Sequence, residues 1–261
     1  MVDPIVFSVG PFTVRWYGLL IASALLIGIL GGCRAARRRH IDEDDFLTVI
    51  MVAIVCAFAG ARLYYVVFNL PYYVANPGEI IAVWHGGLAI HGGILGGMLA
   101  VWLMCRHYKI AFWELADIIA PYLILGQAIG RWGNFINQEA YGAAVDKAQV
   151  PWAIFIEATG QYHHPTFLYE SIWDLLVFFV LLWLGRQLFV KQGEIALSYF
   201  MLYSIGRFMV EGLRTDSLML GPLRMAQVMS LILFIGALLF LLYRRKRYGD
   251  TLPPVRKPMD N

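Results

Sequence analysis

Apolar residues in this chain come in long blocks rather than in alternation. Seven blocks stand out, at about 15–33, 46–69, 86–105, 112–131, 166–185, 194–213 and 225–243. A helix needs about 20 apolar residues to cross hydrocarbon, so the pattern predicts an all-α integral membrane protein with seven transmembrane helices. Two long connections remain, 70–85 and 132–165, the second forming a small insertion between spans four and five. No short repeat, low-complexity tract or flexible linker interrupts the blocks. Residues 1–243 therefore read as one seven-helix membrane domain, and 244–261 as a basic tail.

Composition supports the membrane reading. The chain is 59% hydrophobic and 15% charged, with a mean hydropathy of +0.62, whereas soluble domains are about half apolar and a quarter charged. A net charge of +3 is too small to suggest nucleic acid. Cys33, Cys56 and Cys105 fall in or at the ends of apolar blocks. They have neither metal-ligand spacing nor a disulfide framework and read as small core hydrophobes. The first block is long and ends in an arginine cluster, as in a retained anchor rather than a cleaved signal peptide.

The basic residues are sorted by side. Arg34, Arg37, Arg38 and Arg39 follow span one, Arg106 and Lys109 span three, and Arg186 and Lys191 span five. The tail adds Arg244, Arg245, Lys246, Arg247, Arg256 and Lys257. Fourteen lie on this side against three on the other, Lys147, Arg214 and Arg224. The excess marks the cytoplasmic face. An odd number of spans then puts the N-terminus outside and the C-terminus inside.

Some polar residues sit where a membrane makes them expensive. In span six, "IALSYFMLYSIGRFMVEGLR", Tyr203, Arg207, Glu211 and Arg214 share one helix face. Facing lipid, the three charges would cost on the order of 8 kcal/mol even on a lenient insertion scale. They are expected to face protein or a wet cavity. An Arg207–Glu211 pair that locks the bundle explains two of them and leaves Arg214 and Tyr203 unexplained. Span four ends "GQAIGRWGNFINQEAYG", with Gln127, Arg131 and Asn134 along one face and Asn137 and Glu139 beyond. Arginine forks, amide donors and an aligning carboxylate suit an oxyanion such as phosphate. Arg131 alone could equally be a helix end snorkelling to the interface.

Depth connects these groups. Spans four and six run outward, which carries Arg131, Asn134, Arg207, Glu211 and Arg214 toward the outer face. Span three runs inward from "WHGGLAIHGG", which puts His91 about 8 Å in from the start of its block at 1.5 Å per residue. Tyr17 opens span one on the same side. His91 is thus a candidate base at headgroup level, with glycines beside it that permit close approach of backbone or ligand. His85 reads as an interfacial histidine. Arg62 needs a partner, either a carboxylate such as Glu211 or Asp117 or a substrate. In "HHPTFLYES", Pro165 suits a first helical turn, so His164, Pro165 and Glu170 read as a helix entry. "IDEDD" at 41–45 favours a helix N-terminus.

The stretch "GRWGNFINQEAYG" resembles the pattern G-R-x-G-N-F-x-N-x-E-x-x-G of bacterial prolipoprotein diacylglyceryl transferases, through Gly130, Arg131, Gly133, Asn134, Phe135, Asn137, Glu139 and Gly142. The family's H-G-G element matches His91, Gly92 and Gly93, and its Y-x-x-x-R-x-x-x-E-x-x-R element matches Tyr203, Arg207, Glu211 and Arg214. W-Y-G matches Trp16, Tyr17 and Gly18, and "HPTFLYE" also fits. The matches run in order along nearly the whole chain. The resemblance implies transfer of a diacylglyceryl group from phosphatidylglycerol to the lipobox cysteine of a preprolipoprotein signal peptide. A thioether forms and glycerol phosphate leaves, with no cofactor or metal. It places the protein in the bacterial plasma membrane among its lipids, with the site toward the extracytoplasmic leaflet.

The residues meet the demands of that reaction. A thiol with a reference pKa near 8.5 is mostly protonated at pH 7, so a nearby base raises its thiolate fraction. A departing phosphate needs cationic stabilisation. His91 is the expected base, and Arg131 and Arg207 the phosphate clamp. Asn134, Asn137 and Glu139 would position the headgroup, Glu211 would orient Arg207 or Arg214, and Tyr203 or Tyr17 would bond near the reacting centre. An anion channel would continue its polar residues inward, where spans three, four and six read mainly apolar. A lipid-binding scaffold leaves His91 without a use. An intramembrane protease lacks H-E-x-x-H and a serine tied to a histidine.

Overall fold

The computed structural model describes residues 3–10, 12–187, 189–249 and 251–255. Arg256 and Lys257, counted with the basic tail, lie outside the described residues. Helices follow the apolar blocks: α1 (Trp16–Arg38), α2 (Glu43–Phe68), α3 (Leu70–Ala75), α4 (Ile90–His107), α5 (Phe112–Ile136), α6 (Thr166–Leu184), α7 (Glu194–Glu211) and α8 (Met225–Tyr248). Five of them, α1, α2, α5, α6 and α8, are long and apolar enough to cross a membrane. The third and sixth expected spans are the helices α4 and α7, which fall outside that group. The physical reason is their polar content, His91, Arg106 and His107 in α4 and Glu194, Arg207 and Glu211 in α7.

Among the described residues three antiparallel hairpins accompany the helices, β1 (Ile5–Val9) with β2 (Phe12–Arg15), β3 (Ile154–Ile156) with β4 (Gln161–His163), and β5 (Met219–Leu220) with β6 (Leu223–Arg224). Strands of two to five residues are too short to register in a block pattern, so the all-α expectation missed them. α8 runs on to Tyr248, so Arg244, Arg245, Lys246 and Arg247 of the basic tail are helical. The acidic run does start a helix: Asp42 accepts from the backbone N–H groups of Asp44 and Asp45 and caps α2.

The chain forms two compact units. In the unit of Met1–Gly32 with Ala116–Asn261, glycines bring helices together. A methyl on Gly31 would lie 2.2 Å from the Tyr122 ring, and one on Gly133 2.0 Å from that of Tyr17, so α1 and α5 approach where side chains are missing. Trp132 Nε1 donates to Ser171 Oγ at 3.2 Å and Ser171 to Ala128 O at 2.9 Å, tying α5 to α6. Trp173 of α6 fills the notch at Gly206 of α7 and donates to Leu202 O at 2.9 Å. The start of α7 has no capping side chain of its own. Asp117 of α5 supplies one, accepting from Gly193 N at 2.6 Å and Ala196 N at 2.9 Å.

In the unit of Cys33–Leu115, α2 and α4 pack backbone to backbone. A methyl on Gly92 would lie 2.2 Å from Gly60 O, and one on Gly96 2.4 Å from Cys56 O. Such small-residue seams let membrane helices gain dispersion contact without a hydrophobic driving force. The glycines after His91 therefore serve helix packing, where the sequence left backbone and ligand approach open.

Candidate active site

The central feature is a relay of charges across α5, α6 and α7. Nε of Arg131 lies 2.6 Å from Oε2 of Glu170, and Nη1 of Arg207 donates to Oε1 of the same carboxylate at 2.6 Å. Arg207 Nη2 is 2.6 Å from Glu211 Oε2. Glu170 and Glu211 are only 5% and 2% exposed, and the two arginines 21% and 19%. Buried charges of this kind persist only when paired. Here two cations balance two carboxylates.

The two arginines differ in what they have left. Both terminal nitrogens of Arg207 face carboxylates. Arg131 reaches Glu170 through Nε, and neither Nη1 nor Nη2 donates a hydrogen bond to a described residue. The free edge of a guanidinium is the part that forks onto an oxyanion. Arg131, Glu170, Trp173, Asp174, Tyr203, Gly206 and Arg207 line a small cavity with about 10 Å³ of room, enough for one water. Tyr203 stacks on Tyr199 with ring centres 5.9 Å apart, and Gln127 donates to the Tyr199 hydroxyl at 3.1 Å.

Next to this relay the end of α5 folds into a polar turn. Asn134 and Asn137 both donate to Glu139 Oε1, at 2.9 and 3.3 Å. Gln138 and Ala140 take positive φ, 52° and 57°, which turns the chain back and brings Glu139 N onto Asn134 O at 3.0 Å. Left-handed backbone at two non-glycine residues is costly and is often found at functional sites. The Tyr17 ring lies against Gly133, one residue before Asn134. The motif residues Tyr17, Arg131, Asn134, Asn137, Glu139, Tyr203, Arg207 and Glu211 thus all belong to one unit.

Arg214 stands apart from the relay. It forks onto Asp216 at 2.9 and 2.6 Å, and its backbone pairs with Gly142. Of the two partners expected for Glu211, Arg207 is the one it contacts. The Arg214 guanidinium holds the Asp216 carboxyl below its ordinary range. Arg224 secures this corner by donating to the carbonyls of Glu211 and Arg214. His163 is buried, with its ring nitrogens 2.8 Å from Gly142 O and from Thr159 Oγ1. His164 meets the Tyr169 hydroxyl at 3.1 Å.

Two sequence expectations need correction. The helix entry does fall in this stretch, with Pro165 at the cap and Thr166 the first residue of α6, but Glu170 is more than part of that entry, because it binds both arginines. A signal for it exists in "TFLYESIWDLL": two carboxylates four residues apart in an apolar helix require cationic partners. Among the described residues Arg62 pairs with no carboxylate. Its donors end on the carbonyls of Ile80 (2.9 Å), Gly86 (2.6 Å), Gly87 (2.8 Å), Glu79 (2.5 Å) and Ala82 (3.4 Å). It thereby organises the loop ahead of α4, where Gly86 and Gly87 take φ of 88° and 77°. In the same unit His85 bonds Glu79 at 2.8 Å. His91, the second residue of α4, is exposed, and its ring stacks beside Tyr64 with centres 6.0 Å apart. It makes no hydrogen bond to any described residue.

Comparison with known proteins shows the family. The family model for prolipoprotein diacylglyceryl transferase matches residues 4–243. A phosphatidylglycerol–prolipoprotein diacylglyceryl transferase of Synechococcus elongatus is 47% identical, over 98% of this chain and 91% of its own length. One from Limosilactobacillus reuteri is 47% identical over 94% and 92%, and one from Staphylococcus aureus 45% over 96% and 92%. The relatives match over almost the full length of both chains. The chain belongs to the prolipoprotein diacylglyceryl transferase family.

Proposed function

We propose that this chain transfers the diacylglyceryl group of phosphatidylglycerol to the lipobox cysteine of a preprolipoprotein, the first step of bacterial lipoprotein maturation. The observation that carries the mechanism is the asymmetry of the arginine pair. Arg207 turns both terminal nitrogens to Glu170 and Glu211, while Arg131 keeps its terminal nitrogens without a hydrogen bond to any described residue. In this reading Arg131 forks onto the phosphate and Arg207 lends its charge from behind. Positioned cations lower the barrier most where charge develops, here on the leaving phosphate oxygen.

The thiol gives its proton to a base, for which His91 is the candidate, and the sulfur attacks the glyceryl carbon. The S–C bond forms as the C–O bond to phosphate breaks, and glycerol phosphate leaves with the electron pair. Asn134, Asn137 and Glu139 would hold the headgroup glycerol, and Tyr17 or Tyr203 would bond near the reacting centre. Arg214, tied to Asp216, would join the substrate-binding residues. Seven helices, the five apolar ones with α4 and α7, would span the bacterial plasma membrane with the N-terminus outside. Segments 70–85 and 132–165 would then lie on the extracytoplasmic side, where phosphatidylglycerol and the signal peptide present their reacting groups.

The test is transfer by purified protein in detergent from phosphatidylglycerol to a lipobox peptide, followed by peptide mass and released glycerol phosphate. A diacylglyceryl mass gain that disappears with a Cys→Ser peptide is expected. Folded protein that binds phosphatidylglycerol without making product would instead favour a lipid-binding scaffold. His91→Gln is expected to cost about 10²–10⁴-fold in rate if His91 is the base, and full activity would remove it from the mechanism.

A further inference from the structure

One helical turn below the arginine layer, α5 and α6 each place a further polar residue. Gln127 lies four residues before Arg131, and Asp174 four after Glu170; Tyr199, four before Tyr203 on α7, joins them. Asp174 is 3% exposed and belongs to the lining of the arginine cavity. Its Oδ2 has no hydrogen-bond partner among the described residues, and Gln127 Oε1 is a second buried acceptor without one. The groups that act on Asp174 are Arg131 from α5, Glu170 from its own helix, and Tyr199 and Tyr203 from α7. Arg207 shares the cavity.

Charge counting makes this residue consequential. Arg131 and Arg207 are already balanced by Glu170 and Glu211. An ionised Asp174 would be a third carboxylate against two cations, buried and without a hydrogen bond, in the cavity proposed to face an anionic phosphodiester. Such a charge is costly unless paired, and its field would repel the substrate. As the neutral acid it leaves the cluster balanced and turns an unmatched acceptor into a donor.

We propose that Asp174 is carried as the neutral carboxylic acid, as a positioning residue that keeps the arginine cluster open to an anionic phosphodiester, and that loss of its proton closes the site to that anion. The inference rests on the phosphate-clamp reading of Arg131 and Arg207. Only one proton moves, from the Asp174 carboxyl to solvent, and no bond of the substrate is involved.

The experiment compares pH profiles of kcat/KM for phosphatidylglycerol in the full-length enzyme and in Asp174→Asn, whose amide copies the neutral acid. Dividing one profile by the other cancels the ionisation of the peptide thiol. The ratio of variant to wild type is expected to rise at alkaline pH, by about tenfold per pH unit once Asp174 loses its proton. A constant ratio overturns the proposal, as does a folded but inactive Asp174→Asn. If the variant does not fold, infrared spectra of wild type carrying isotope-labelled aspartate decide. A protonated-carboxyl band that fades over the pH range where transfer falls is expected, and no such band at neutral pH overturns the inference. Arg131→Gln is assayed alongside. If it stays active, the clamp reading fails, whereas its loss with a constant Asp174 ratio removes the Asp174 inference alone.

Discussion

Arg131 and Arg207, on different helices, are held by opposite oxygens of one carboxylate, Glu170, each at 2.6 Å. A bridge of this kind sets the spacing of the two cations and keeps them from repelling each other in a site with little water. Removing one partner of a buried ion pair leaves the others uncompensated.

Glu170→Ala is therefore expected to cost about 3–5 kcal/mol of stability and to abolish transfer, read by thermal unfolding in detergent and by the peptide assay. Glu170→Gln keeps the shape but not the charge. It is expected to unfold less readily than the alanine variant while still losing most activity. Wild-type activity in Glu170→Gln would show that the bridge is dispensable.

Lysine in place of each arginine separates their roles, because an ammonium cannot fork. At Arg131 the change is expected to raise KM for phosphatidylglycerol, about tenfold if one charge-assisted hydrogen bond is lost. At Arg207 it is expected to lower both kcat and melting temperature, since this side chain holds two carboxylates. Equal effects on KM and stability at both positions would contradict the asymmetry.

Gly206 tests how tightly the cluster is packed. A methyl there would lie 2.1 Å from the Trp173 ring, while one on Gly236 of α8 meets nothing within 4 Å. Gly206→Ala should destabilise by about 1–3 kcal/mol through overpacking and reduce activity. Gly236→Ala should be neutral or stabilising by about 0.4–1 kcal/mol. Thermal unfolding of the two variants side by side provides the check.

The Arg214–Asp216 pair predicts a pH effect of definite sign. The Arg214 guanidinium lowers the Asp216 carboxyl below its ordinary value. Its stabilisation is complete above the unfolded carboxyl pKa of about 3.9 and is lost as pH falls through the lower folded value. Wild type and Asp216→Asn should differ by a constant melting temperature above that point and converge under more acid conditions. Divergence on acidification would reverse the sign and refute the assignment.

Arg62→Lys should loosen the loop ahead of α4, because three ammonium donors cannot replace a guanidinium that reaches five carbonyls. Faster amide exchange across 79–87 is the expected readout, and unchanged protection would assign that order to the backbone alone.

The apolar blocks by themselves determined where the long helices lie, because a membrane helix satisfies its backbone internally and its length is set by the bilayer. The same patterns singled out Arg131, Asn134, Glu139, Tyr203, Arg207 and Glu211, since a charge or amide inside such a block is costly without a purpose. What the sequence left open is which partners these groups choose. Glu211 could serve Arg207 or Arg214, and only the packing of α7 and its following loop gives it Arg207 and sends Arg214 to Asp216. Glu170, 39 residues from Arg131 and 37 from Arg207, becomes the bridge because α5, α6 and α7 meet around it. Arg62 finds carbonyls instead of a carboxylate because the short turns at 77–87 aim their oxygens at it. Local pattern carries burial and periodicity, whereas the pairing of distant charges depends on how the helices cross, and only the tertiary structure decides that.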